Sequence, residues 1–134
     1  MTRHELRYKA MTILYQTFLY DNNNIEYTID NIISEQLECD GKFVSSLVNG
    51  VISKKIEIDE VANKYLEDWD ISRLGFTDQA IIRMGIYEIM WTDTPDVTCI
   101  DEAVELAKEY SDDKVCKMIN GVLDKVYHSK EKND

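Results

Sequence analysis

Apolar positions recur along this 134-residue chain at spacings of three and four, and hardly anywhere in strict alternation. That is the period of an α-helix with one buried stripe. Over residues 3–20, Leu6, Ala10, Ile13 and Leu14 fall on one side. Residues 21–24 (Asp-Asn-Asn-Asn) break that helix. Asn23 and Glu26 then have the spacing of a capping box for a second helix, with the stripe Ile25, Ile29, Ile32, Ile33 and Leu37. Cys39, Asp40 and Gly41 form the next stop. Val44, Leu47, Val48, Val51 and Ile52 mark a third segment; Ile58, Val61, Ala62, Tyr65, Leu66 and Trp69 mark a fourth.

A loop over residues 74–78 leads to an N-cap at Thr77. Residues 78–91 are apolar nearly all round, which predicts a helix enclosed by others. The only proline, Pro95, closes that segment. Ala103, Leu106, Ala107 and Tyr110 line a sixth helix. Residues 111–113 cap a seventh, with Val115, Met118, Ile119, Val122, Leu123 and Val126 as its stripe. The expectation is an all-α fold of about seven helices in two packed small bundles. It forms one domain, 1–134, with subdomains of roughly 1–75 and 76–134.

Two Asn-Gly pairs, Asn49-Gly50 and Asn120-Gly121, look like hairpin turns in isolation. Both lie inside helical stripes instead, and the two stretches align at an offset of 71, Val44 through Lys54 matching Val115 through Lys125. A helix gives up about 1 kcal/mol to an interior glycine relative to alanine. Close approach of another helix at Gly50 and at Gly121 is the expected compensation. A glycine that opens a ligand cleft is the other use.

Composition narrows the function. With 44% hydrophobic residues, the chain can build a core, and five glycines with one proline are few for an all-β fold. A formal net charge of −11 argues against non-specific coating of nucleic acid or of anionic membranes. The charge is uneven, because Arg3, Arg7 and Lys9 face only Glu5 within the first 20 residues. Cys39, Cys99 and Cys116 are odd in number and form no Cys-x-x-Cys, so free thiols in a reducing cytosol are expected, without a disulfide framework or metal site. Neither a signal peptide nor an apolar run of about 20 residues is present, which predicts a cytoplasmic protein without a membrane span.

No P-loop, dinucleotide fingerprint, zinc-protease motif or nucleophile elbow occurs, and His4 and His128 sit near opposite ends. Neither catalysis nor a cofactor is expected. The first helix carries more chemistry. Arg3 and Arg7 share a face, and His4, Tyr8, Met11 and Tyr15 follow a neighbouring row. Cations beside rings suit single-stranded RNA, with guanidinium groups on phosphates and rings under bases. A solvated helix start on an acidic protein is the bland reading of the same residues.

Four stretches together carry a resemblance. They are Leu6 to Leu19; Asp78 to Trp91, with an Arg followed four residues on by Tyr-Glu (Arg83, Tyr87, Glu88); Asp101 to Lys108; and Met118 to Lys125. In this order and spacing the chain resembles the NusB family of bacterial transcription antitermination factors, over essentially its whole length. The resemblance implies an all-helical fold of two three-helix subdomains. It implies binding of boxA-type nascent RNA together with NusE, a small-subunit ribosomal protein, within the RNA polymerase antitermination complex that reads through ribosomal RNA operons. Carried over residue by residue, the RNA surface is Arg3, His4, Arg7 and Tyr15 with Tyr110, Lys114, Lys117 and Met118. Partner contacts centre on the helix beginning at Asp78, with Ile81 and Ile82. Two departures stand out: the family's arginine-rich start is thinned, with Glu5 among its bases, and Met118 stands where the family often has phenylalanine.

The first functional reading is thus an RNA-binding antitermination and ribosomal-RNA factor. The alternative is a helical protein-interaction module or homodimeric scaffold with weak RNA binding. A third, the RNA-binding appendage of a methyltransferase, calls for a catalytic domain after Asp134, which is not expected.

Overall fold

The computed structural model describes residues 1–36, 41–67 and 69–132. Leu37, Cys39 and Asp40, which figure in the sequence expectations, lie outside them. The described residues form seven α-helices and no strand: α1 (Arg3–Asn22), α2 (Ile29–Gln36), α3 (Lys42–Ser53), α4 (Lys55–Tyr65), α5 (Phe76–Trp91), α6 (Asp96–Tyr110) and α7 (Asp113–Lys132). One 3-10 turn, Ile71–Arg73, precedes α5.

Local chemistry explains several of the ends. The Thr2 hydroxyl accepts the Glu5 N–H at 3.1 Å and starts α1. Asp112 does the same for α7, accepting the Val115 N–H at 2.8 Å. The hydroxyl of Thr92 donates to the Glu88 carbonyl at 2.7 Å as α5 ends, and Pro95 stands just before α6.

Two expected boundaries shift. The Asn23–Glu26 capping box does not form. Helix α1 runs on to Asn22, the Asn23 side chain donates back to the Leu19 carbonyl at 2.8 Å, and Asn24 turns the chain with φ 56°. Asn tolerates that left-handed conformation better than most residues. Ile25 is consequently exposed, and α2 starts four residues later. At α5 the cap is Gly75, and Thr77 is already inside the helix.

Helix α5 is the axis of the molecule, packed against α1, α3, α4, α6 and α7. Ile81, Ile82, Ile86 and Ile89 are completely buried and Met84 nearly so. That enclosure explains an apolar surface nearly all round. It also holds three polar side chains, each satisfied. Arg7 of α1 donates to both carboxylate oxygens of Glu88 at 2.8 Å. Arg83 donates from Nε and Nη2 to the Asp59 carboxylate of α4 at 2.8 and 3.1 Å, and from Nη1 to Gln79 at 2.8 Å. Its guanidinium also lies 4.5 Å from the centre of the Phe18 ring.

Both Asn-Gly pairs are helical, as expected. Their glycines differ. A Cβ at Gly50 would collide with the Tyr87 ring, so α3 and α5 approach closely there. A Cβ at Gly121 would meet nothing within 4 Å, which corrects the expectation of a packed helix at that position. The second close approach is at Gly85, where a Cβ would lie 2.8 Å from Leu123 Cδ1 and so lets α7 settle on α5.

Candidate nucleic-acid interface

The N-terminal basic residues divide by helix geometry. Arg3 is exposed, and its guanidinium covers the Phe43 ring of α3 at 4.1 Å from the centroid. Arg7 lies one turn on, in line with Ala10 and Leu14, and the core takes it in. It is 4% exposed and held by Glu88. The carboxylate holds the guanidinium above its ordinary pKa. Arg7 therefore does not present its charge to a phosphate, in contrast to its expected role, and serves to fix α1 on α5.

His4 sits between two carboxylates of α6. Nδ1 lies 2.7 Å from Glu102 Oε2 and Nε2 lies 2.9 Å from Glu109 Oε1. Carboxylates at both ring nitrogens call for N–H donors at both, which is the imidazolium. Hydrogen bonding to Glu102, then to Glu109, raises its pKa above 6.5, partly opposed by desolvation.

The α1 row reaches the other half of the face through rings. Tyr8 stacks on Tyr110, the last residue of α6, with centroids 4.9 Å apart and planes 17° from parallel. Tyr110 is 44% exposed, leaving part of its ring for a further stack. Tyr15, also exposed, meets the half-buried Phe76 of α5 edge-on at 6.2 Å. Asp78 is half-buried and accepts a hydrogen bond from the Ser111 hydroxyl, locking the start of α5 to the corner between α6 and α7. One turn beyond that corner, Lys114 and Lys117 are exposed and Met118 is half-buried. Residues about a hundred positions apart thus meet where His4 and Tyr8 of α1 reach Glu102, Glu109 and Tyr110 of α6, and Arg3, Tyr15, Tyr110, Lys114 and Lys117 reach solvent.

The expected partner face is corrected in part. Ile81 and Ile82 are wholly buried and offer nothing to a partner, because the neighbours of α5 enclose them. The accessible part of this helix's start is Phe76, Thr77 and Asp78.

The sequence reading missed Phe43 under Arg3 and the use of Tyr8 as a platform for Tyr110. Tyr8 was in the aromatic row of α1, but nothing local reports its partner. A hint for Arg7 was available: its spacing of three from Ala10 and seven from Leu14 places it on the buried stripe. Among the described residues, no cluster of His, Cys, Asp or Glu is arranged to hold a metal, and no helix is long and apolar enough to cross a membrane.

Comparison with known proteins gives a consistent result. The family model described as NusB family matches residues 4–128. The transcription antitermination protein NusB of Campylobacter jejuni strain RM1221 is 40% identical over 132 residues, covering 97% of this chain and 98% of the relative. Among solved structures, NusB of T. maritima superposes with a TM-score of 0.86 at 27% identity, covering 98% and 96% of the two chains. A chain from a crystal structure of the antitermination factors NusB and NusE in complex with dsRNA shares the fold, with a TM-score of 0.78 at 24% identity over 96% of this chain and 99% of that one.

Proposed function

The chain belongs to the NusB family, and on that premise we propose that it is a cytoplasmic, RNA-binding transcription antitermination factor. It acts with NusE on boxA-type nascent RNA, within the RNA polymerase complex that transcribes ribosomal RNA operons. It binds and does not catalyse.

The observation that supports this reading is the Tyr8–Tyr110 stack, which joins the α1 row of rings and cations to the end of α6. On that surface Arg3, Lys114 and Lys117 contact phosphates. Tyr15, Tyr110 and Met118 contact bases. His4 and Arg7 position α1. Three exposed cations on a protein of net charge −11 make a modest electrostatic contribution. NusE, as a basic ribosomal protein, supplies the remaining phosphate contacts and docks at the start of α5, around Phe76 and Asp78.

Filter binding of a boxA-type single strand, with and without purified NusE, at two salt concentrations, tests the reading. The pair should bind the strand more tightly than either protein alone. Arg3→Ala should weaken binding and flatten the salt dependence by about 0.7 per lost phosphate contact. An unchanged slope removes Arg3 from the RNA face. The inward turn of Arg7 favours a second reading, a helical interaction module or homodimer with weak RNA binding. Failure of the chain to form a complex with NusE at micromolar concentrations would select it.

A further inference from the structure

Helix α7 has a face that the surface just described reaches only at Lys114 and Met118. Lys114, Met118, Gly121 and Lys125 follow one another at spacings of four, three and four, a single row along the helix. Its ends are about 16 Å apart at 1.5 Å per residue. Opposite the row stand Tyr65, the last residue of α4, and Trp69 in the segment after it, and the two sides line one groove. Val122 forms part of its floor, and Glu67 lies on the rim, pairing with Lys125 at 3.0 Å. Trp69 is 46% exposed, a large ring left open to solvent. Gly121 sits where a Cβ would meet nothing within 4 Å, so its helix-weakening effect is not offset by a packed neighbour.

Three observations bear on the occupant. The groove has an aromatic wall and a thioether, which suit a planar apolar face. A lysine stands at each end of the row, spaced for an anionic chain and not for a compact anion. At Lys114 and Met118 it runs directly into the surface assigned above to RNA.

We propose that this groove is a continuation of the RNA track. It takes one unstacked nucleobase of a single strand against Trp69 and over Gly121, with phosphates of neighbouring nucleotides along the strand on Lys114 and Lys125. The glycine is then the cleft-opening kind, since any side chain there projects into the space the base occupies. Binding moves Lys125 from Glu67 to the strand. The proposal rests on the RNA-binding reading above and adds a subsite to it.

The test uses the chain with NusE and a boxA-type single strand extended at either end, and compares four groove variants with Arg3→Ala by filter binding. Trp69→Ala should weaken binding about 5- to 100-fold, the range for loss of one stacked base, while Trp69→Phe keeps most of the affinity. Lys125→Gln should lower the salt slope by about 0.7. Gly121→Leu should raise the thermal midpoint or leave it unchanged, yet bind RNA as poorly as Trp69→Ala. Wild-type RNA affinity in Trp69→Ala and Gly121→Leu, with Arg3→Ala impaired, overturns the groove and leaves the RNA reading standing. Weakened NusE affinity in Trp69→Ala without RNA present would make the groove a protein site and overturn the proposal. Absence of RNA binding by the wild-type pair overturns both.

Discussion

Gly50 and Gly121 carry the same dipeptide in the same helical setting, yet an added methyl group would strike a tyrosine ring at one and meet nothing at the other. Their substitutions should therefore have opposite signs. Gly121→Ala removes only the backbone entropy of a helical glycine and should stabilise the protein by about 1 kcal/mol. Gly50→Ala gains the same term but must displace the half-buried Tyr87, whose ring packs on Trp91 at 6.0 Å. Overpacking of that kind costs about 1–3 kcal/mol, so the net is destabilising. Urea denaturation of both variants checks the pair of signs; two stabilised proteins would mean that Tyr87 swings away freely. His4 gives a second test. Its pKa is raised above the unfolded value, mainly by its hydrogen bond to Glu102. A raised folded pKa means the contribution is full below the unfolded pKa and fades as pH rises through the folded one. The thermal midpoint of wild type should thus exceed that of His4→Gln at about pH 6 and converge with it by about pH 9. A constant difference across that range would show that the imidazole acts through packing, not charge.

Between α1 and α5 the dominant link is the buried pair of Arg7 and Glu88, each about 5% exposed in its side chain. Such a pair adds little net stability compared with apolar replacements, but removing one partner strands a buried charge and costs about 3–5 kcal/mol. Arg7→Ala should fall in that range by urea denaturation. The double variant Arg7→Leu with Glu88→Leu should recover most of the loss. If the two single changes simply add, the residues are not coupled. An RNA-binding defect in Arg7→Ala then reports the displaced α1 and not a lost phosphate contact, which makes Arg3 the informative arginine. The elements themselves were readable from spacing: the stripes Val44, Leu47, Val48, Val51 and Ile119, Val122, Leu123, Val126 are buried as their periodicity requires. What spacing does not encode is which long-range neighbour a side chain meets. Spacing hints that Arg7 falls on the buried stripe, but it does not name Glu88 of α5 as the partner that holds it there. The site was half readable for the same reason. Its cations and rings stood out within α1, and those of α6 and α7 came only through the family resemblance, whereas the Tyr8–Tyr110 stack, the Asp78–Ser111 bond and the groove beside Trp69 depend on how α4, α5, α6 and α7 pack.

Viewed entire, the molecule is arranged about one helix. Helix α5 is wrapped by α1, α3, α4, α6 and α7, whereas α2 packs only against α1 and α3 among the elements it meets substantially. The acid excess is carried outside this core, where it favours fast, salt-sensitive encounter with a basic partner. The same arrangement has a consequence in time. A helix with that many neighbours is expected in the folding nucleus, so Ile82→Val should slow refolding in proportion to its loss of stability, while Ile32→Ala in α2 should chiefly speed unfolding. Stopped-flow chevrons of the two variants would show it, and equal effects on the unfolding limb would place the nucleus elsewhere. On the ribosome the order of synthesis runs against this order of assembly. Residues 76–91 emerge after α1 to α4 have been made, so the apolar stripes of Ala10, Ile13, Leu14, Val44, Val48 and Val51 have only one another to pack on until the axis they close upon arrives. The nascent protein thus passes through an interval in which it is a natural client for chaperones, and that interval lasts until α5, with α6 and α7 behind it, is released.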